Sequence, residues 1–248
     1  MKNKHDIETY FKLAEGANFF LDESFHYINE SLSYEFASKL FSEKIESIEP
    51  SEEERKINAN SNLPEDTIGL LQAEIPDVLQ GETLNLMSKA WEQAQILSKT
   101  RNHKFGMNHE INSIEMLGHL NNFGFFIETL VNRHLLYLMQ SNYIDDFSYA
   151  RISIAKIMER LIFIFKESLN ENKVHLNEIA KLFSLRNKTV HYTPDNARAL
   201  KPKVFEMIQI WKQSKKIIER FEKVENFNED QFSIKLNNHI ICFKSKWT

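Results

Sequence analysis

The chain has 248 residues, 42% hydrophobic and 12% aromatic, which is enough to bury a sizeable core and too apolar for a disordered chain. A formal net charge of −4 gives no overall basic field for nucleic acid, and a single cysteine, Cys242, excludes an internal disulfide framework and multi-cysteine zinc sites. Only 6 glycines and 5 prolines interrupt it, which favours long helices over many short strands.

Apolar residues at helical spacing (Ile7, Phe11, Ala14, Ala17, Leu21, then Tyr34, Ala37, Leu40 and Phe41) predict a helix over 5–45. The opening MKNKHDIETY lacks the apolar core of a signal peptide. The stretch IEPSEEERKINANSNLPED at 48–66 reads as a charged connector, its acids on a solvated face. Helical patterning resumes near Leu70, pauses around EIPDVLQGE and continues through LNLMSKAWEQAQILSK; a second polar break covers 100–110. Four helices are then expected. The first spans about 112–142 on Leu117, Leu120, Ile127, Val131 and Leu138, and the second 146–169 on Ile152, Ile154, Ile157, Leu161 and Phe165. The third spans about 176–192 on Ile179, Leu182, Phe183 and Val190 and stops before Pro194; the fourth starts near Pro202 and runs to about 224 on Phe205, Ile208, Trp211, Ile218 and Phe221.

Four such helices on short connections predict an antiparallel bundle. The tail QFSIKLNNHIICFKSKW alternates around an Asn-Asn pair and predicts a short hairpin or edge strand. The expected class is therefore all-α, in three parts: a helical N-terminal region over 1–111, a bundle over 112–225 and a β tail over 226–248. The apolar run LIFIF at 161–165 is too short to span a bilayer, so a cytoplasmic protein without a membrane partner is expected. Trp91, Trp211 and Trp247 read as core or interface residues rather than stacking platforms.

The segment LRNKTVH at 185–191 stands out from this helical pattern. It lies in the basic stretch from Lys181 to Lys203, which holds six Lys or Arg residues against Asp195 alone. Arg186 falls three residues after Phe183 and seven after Ile179, on an apolar face where a charge needs a partner. Asn187 and His191 are four apart and share a face. An Arg-to-His spacing alone carries no information at this composition, but requiring Asn, Asp or His after the arginine leaves this one match. The plain reading is that Arg186 complements the helix C-terminal half and His191 is a last-turn residue facing water.

RNKTVH at 186–191 resembles the signature of the HEPN superfamily, four-helix domains whose active members are ribonucleases: an arginine, then a polar residue, then a histidine after four to six positions, late in the third helix. The resemblance covers about 112–225. It implies an endoribonuclease of the toxin or antiviral-defence kind, with RNA as substrate and with Arg186, His191 and Asn187 as catalytic residues. His191, titrating near neutrality, would act as general base or acid for attack of a ribose 2′-hydroxyl on the adjacent phosphate. Arg186 would stabilise charge on the phosphorane oxygens, Asn187 would orient the imidazole or hold a phosphate oxygen, and Lys188 and Tyr192 would support RNA binding. The antitoxin-paired branch places a tyrosine two positions after the histidine, where this chain has Thr193.

One arginine and one histidine supply half of an acid–base pair, so the resemblance implies a homodimer with a composite site, and an antitoxin or defence-system partner. No cofactor or metal is expected, since His103, His109 and His119 lack ligand spacing. Glu128 and Asn132, one turn apart on the first bundle helix, form a polar patch that reads equally as a carboxylate supporting the arginine or as an ordinary exposed pair. From other classes, a non-catalytic HEPN-like module binding RNA, nucleotide or protein, and a helical scaffold with a coincidental motif, fit the same residues.

Overall fold

Tyr10, Ala14, Ala17, Leu21, Phe25, Ile28 and Leu32 recur every three or four positions, one face of a helix, and all seven are buried on α1 (Lys4–Glu46). The protein is seen here as a computed structural model that describes residues 4–46, 77–100, 104–111, 115–190, 201–226 and 231–248. The charged connector expected at 48–66 and the motif residues from His191 onward lie outside the described residues. The remaining elements are α2 (Asp77–Thr100), α3 (Glu115–Gln140), α4 (Asp146–Ile152), α5 (Ile157–Ile164), a 3₁₀ turn (Lys166–Ser168), α6 (Leu169–Val190), α7 (Val204–Glu225) and α8 (Phe232–Trp247). The fold is all-α; among the described residues the only β pairing is an isolated antiparallel bridge, Glu110 to Lys203. Among these residues no helix is long and apolar enough to cross a membrane.

The chain forms two units, Met1–Leu32 with Lys104–Thr248, and Ser33–His103. The expected division at residue 111 is corrected by this: the first part of α1 belongs with the bundle. Its buried stripe needs a partner, and α3 takes it so closely that a Cβ at Gly118 would lie 2.6 Å from the Tyr27 ring. In the second unit, Phe36 and Ala37 of α1 and Ala90, Ala94 and Ser98 of α2 are buried. Trp91 stands edge-on to Tyr34 and Phe41 at 5.6 and 5.5 Å. α2 is a single helix from Asp77, without the pause expected around Gly81.

Two further expectations are corrected. The tail is the helix α8, not a hairpin: Phe232, Leu236, Ile240, Phe243 and Trp247 follow one another at steps of three or four and all are buried. That stripe outweighs the two-residue alternation because it packs on α7, with Phe243 edge-on to Trp211 at 4.8 Å. The helix expected over 146–169 is broken between Ile152 and Ile157 and again at Phe165, and α6 begins at Leu169 rather than Leu176. Local hydrogen bonding sets the first break. At the end of α4 the Ser153 N–H donates to the Tyr149 carbonyl at 2.9 Å and the Ala155 N–H to the Ile152 carbonyl at 3.0 Å, and Glu159 accepts from the Lys156 N–H at 3.2 Å to start α5 anew. Ile154, expected inward, is 78% exposed at this break.

His119 of α3 is fully buried in the core. The Trp211 indole N–H donates to its Nε2 at 3.2 Å, and an indole nitrogen only donates, so Nδ1 carries the proton and donates to the Ser24 carbonyl at 2.8 Å. Burial pushes the His119 pKa down from 6.5 to about 4, against the smaller opposing effect of the Ser24 carbonyl. The folded protein keeps this ring neutral where the unfolded chain protonates it. His119 therefore contributes stability that is intact above pH 6.5 and is lost as pH falls towards 4, in total about 3 kcal/mol. Denaturation of wild type and His119→Gln across pH 7 to 4.5 should show the two converging as pH falls. A constant gap between them would exclude this origin.

Candidate functional site

Arg186 sits in the last turns of α6, and the structure brings it to Glu128 of α3: Nη1 lies 3.4 Å from Glu128 Oε2. The stem of Arg186 crosses the backbone of α3 at Gly124, where a Cβ would come within 2.6 Å of Arg186 Cδ. The glycine lets the arginine stem lie this close; a side chain there would push Arg186 aside. The guanidinium lies 4.4 Å from the Phe125 ring centroid and 5.8 Å from that of Phe183, both within cation–π range. The side chain is 18% exposed, so it is held and mostly covered while still reaching the surface. Phe125 is 40% exposed and gives the site an aromatic edge.

A second arginine completes the cluster. Arg160 of α5 is buried, and its Nη1 stands 3.7 Å from Glu128 Oε1 and donates to Asn132 Oδ1 at 2.5 Å. Its Nε donates to the Ala155 carbonyl at 2.7 Å, in the break between α4 and α5. One carboxylate is thus flanked by two guanidinium groups at a partly water-accessible spot. Such a spot can receive an anionic oxygen through the fork of Arg186.

Of the residues singled out in the sequence, Arg186 and Glu128 are brought together and Asn132 is joined to them through Arg160. Asn187 is exposed and Lys188 partly exposed on the last turns of α6. His191 and Tyr192 lie outside the described residues. Sequence reasoning missed Arg160 and Gly124. The polar pair Glu128 and Asn132 on an apolar helix was a signal that a buried donor faces them, but nothing in the chain marks Arg160 as that donor. Among the described residues no group of three or more His, Cys, Asp or Glu side chains is placed to hold a metal ion.

A separate buried cluster lies on the other side of α3. Glu225, at the end of α7, accepts from the Tyr10 hydroxyl at 2.5 Å, sits 2.9 Å from His134 Nδ1 and 3.7 Å from Arg133 Nε. The Arg133 guanidinium packs on the Tyr10 ring at 4.2 Å and on Phe232 at 5.2 Å. Burial, reinforced by the Glu225 carboxylate, pushes the Tyr10 phenol well above its ordinary range. All four side chains are under 10% exposed, so this cluster ties α1, α3 and α7 together and is closed to substrate.

Comparison with protein-family models, with curated proteins and with solved structures finds no match to this chain.

Proposed function

We propose that this protein is a metal-independent endoribonuclease of HEPN type, with Arg186 and His191 as its catalytic pair. The observation that carries the reading is the placement of Arg186: the arginine of the motif is bound to Glu128 and backed by Phe125 and Phe183, with its fork reaching the surface. An arginine fixed in this way loses little freedom when it meets a phosphate and can stabilise the charge that grows on the phosphorane. His191 takes the proton of the 2′-hydroxyl or returns one to the leaving 5′-oxygen, and Asn187 steadies it. Lys188 and Tyr192 contact the RNA beside them. A homodimer that pairs two such motifs supplies both acid and base, and the toxin or defence setting, a cytoplasmic location and an antitoxin or defence partner go with the family resemblance.

The coverage of Arg186 by Glu128 and two phenylalanines also favours a second reading, a non-catalytic HEPN-like module in which the arginine only binds a ligand. Incubation of purified protein with total RNA in chelator, beside His191→Ala, separates the two. Cleavage by wild type alone, leaving 2′,3′-cyclic phosphate and 5′-hydroxyl ends, is the expected result, and a 2′-O-methyl group at the scissile position should block it. Equal cleavage by His191→Ala, or of the methylated RNA, rules the mechanism out.

A further inference from the structure

We infer that a pocket on the far side of Asn132 receives one unpaired base of the RNA, an inference that rests on the ribonuclease reading above. The pocket, about 260 Å³, lies between α1, α3 and α4 and is lined by Thr9, Leu13, Asn132, Leu135, Leu136, Tyr149 and Ser153. No side chain that is charged at neutral pH lines it, and a phosphate or carboxylate would lose its hydration there with no charge to replace it. Three leucines and a tyrosine offer apolar and aromatic surface, and the Asn132 amide adds an uncharged hydrogen-bonding group. The volume falls below the roughly 300–1,000 Å³ of pockets for drug-sized ligands, which suits one planar ring system rather than a whole nucleotide. A planar, neutral group that stacks and hydrogen-bonds at its edge is the chemistry of a nucleobase.

Asn132 is the residue that reads it. The guanidinium of Arg160 can only donate, so Asn132 must turn Oδ1 towards it, and the 2.5 Å contact holds the amide in that orientation. With Oδ1 taken by Arg160, Nδ2 is the part of this pocket-lining amide that can donate to a base edge presenting an acceptor. The same Arg160 touches Glu128, which holds Arg186, so the pocket lies three contacts from the proposed phosphate site through one rigid chain of side chains. The break between α4 and α5 serves both ends of this chain: it places Ser153 on the pocket wall and gives Arg160 its Ala155 carbonyl.

Asn132→Asp tests this, because it keeps the oxygen facing Arg160 and replaces the amide donors by an acceptor. Mapping of cut sites on RNA of random sequence should show wild type preferring particular bases at one position beside the cut, and Asn132→Asp shifting that preference tenfold or more. In a second arm, uridine, cytidine, adenosine and guanosine are titrated separately and followed by ligand-detected NMR. At least one should bind wild type saturably, and at least tenfold more weakly to Ser153→Trp, which fills the pocket from its rim and is checked for an unchanged fold by circular dichroism. An unchanged base preference in active Asn132→Asp, or no nucleoside bound by wild type, overturns the base site and leaves the ribonuclease reading standing. Nucleoside binding that is lost in Ser153→Trp, in a protein that cuts no RNA, removes the ribonuclease reading and supports the base site.

Discussion

Replacing Arg186 by alanine should lower RNA cleavage by about 10²–10³-fold, the usual consequence of removing one preorganised donor from a developing oxyanion. On the proposed mechanism the loss should fall on kcat, since the fork would be used most as charge builds on the phosphorane. Arg186→Lys should recover little of it. An ammonium carries the charge but lacks the planar fork that spans Glu128 and a phosphate oxygen together. The fold should tolerate both changes, because the side chain lies at the margin of the core and Arg160 remains beside Glu128. Loss of the pair and of the Phe125 contact amounts to about 1–2 kcal/mol. Single-turnover rates measured with unfolding curves on the same preparations decide it. Cleavage per folded molecule within about threefold of wild type would remove Arg186 from the chemistry.

The largest effect on stability should come from Glu225→Ala. This carboxylate accepts from Tyr10, lies against His134 and faces Arg133, all out of water, so deleting it takes the counter-charge from a buried guanidinium and a partner from a buried phenol. Breaking a buried ionic pair by removing one member costs about 3–5 kcal/mol, because the remaining group keeps its desolvation without the attraction. For a protein of this size that corresponds to a fall in Tm of roughly 10 °C. Glu225→Gln, which keeps the shape and can still accept from Tyr10, should lose less. Urea unfolding of the three proteins gives the comparison, and a loss below about 1 kcal/mol in Glu225→Ala would mean that Arg133 is satisfied without the carboxylate.

The amino-acid sequence by itself determined the helices whose apolar positions repeat at three and four over long stretches: α1, α3 and α7 lie within a few residues of their expected bounds. Periodicity is a local property, and a buried stripe such as Tyr10, Ala14, Ala17 and Leu21 has only one regular structure that gathers it on one side. The sequence also marked Arg186 as a charge on an apolar face that requires a partner, and named Glu128 as one of two readings. The tertiary structure alone decided the rest. The tail satisfies a two-residue and a 3.6-residue pattern at once, and only the surface of α7 selects the helix that buries Phe232, Leu236 and Trp247 together. The break at Ile152 is marked by the turn bond from the Ala155 N–H to the Ile152 carbonyl and by the Glu159 cap on Lys156, not by glycine or proline, so no strong breaker announces it. Arg160, 28 residues from Asn132 and 26 from Arg186, reaches Glu128 only because that break reorients α5. Contacts between residues far apart in the chain are fixed by packing, and one sequence read locally has no term for them.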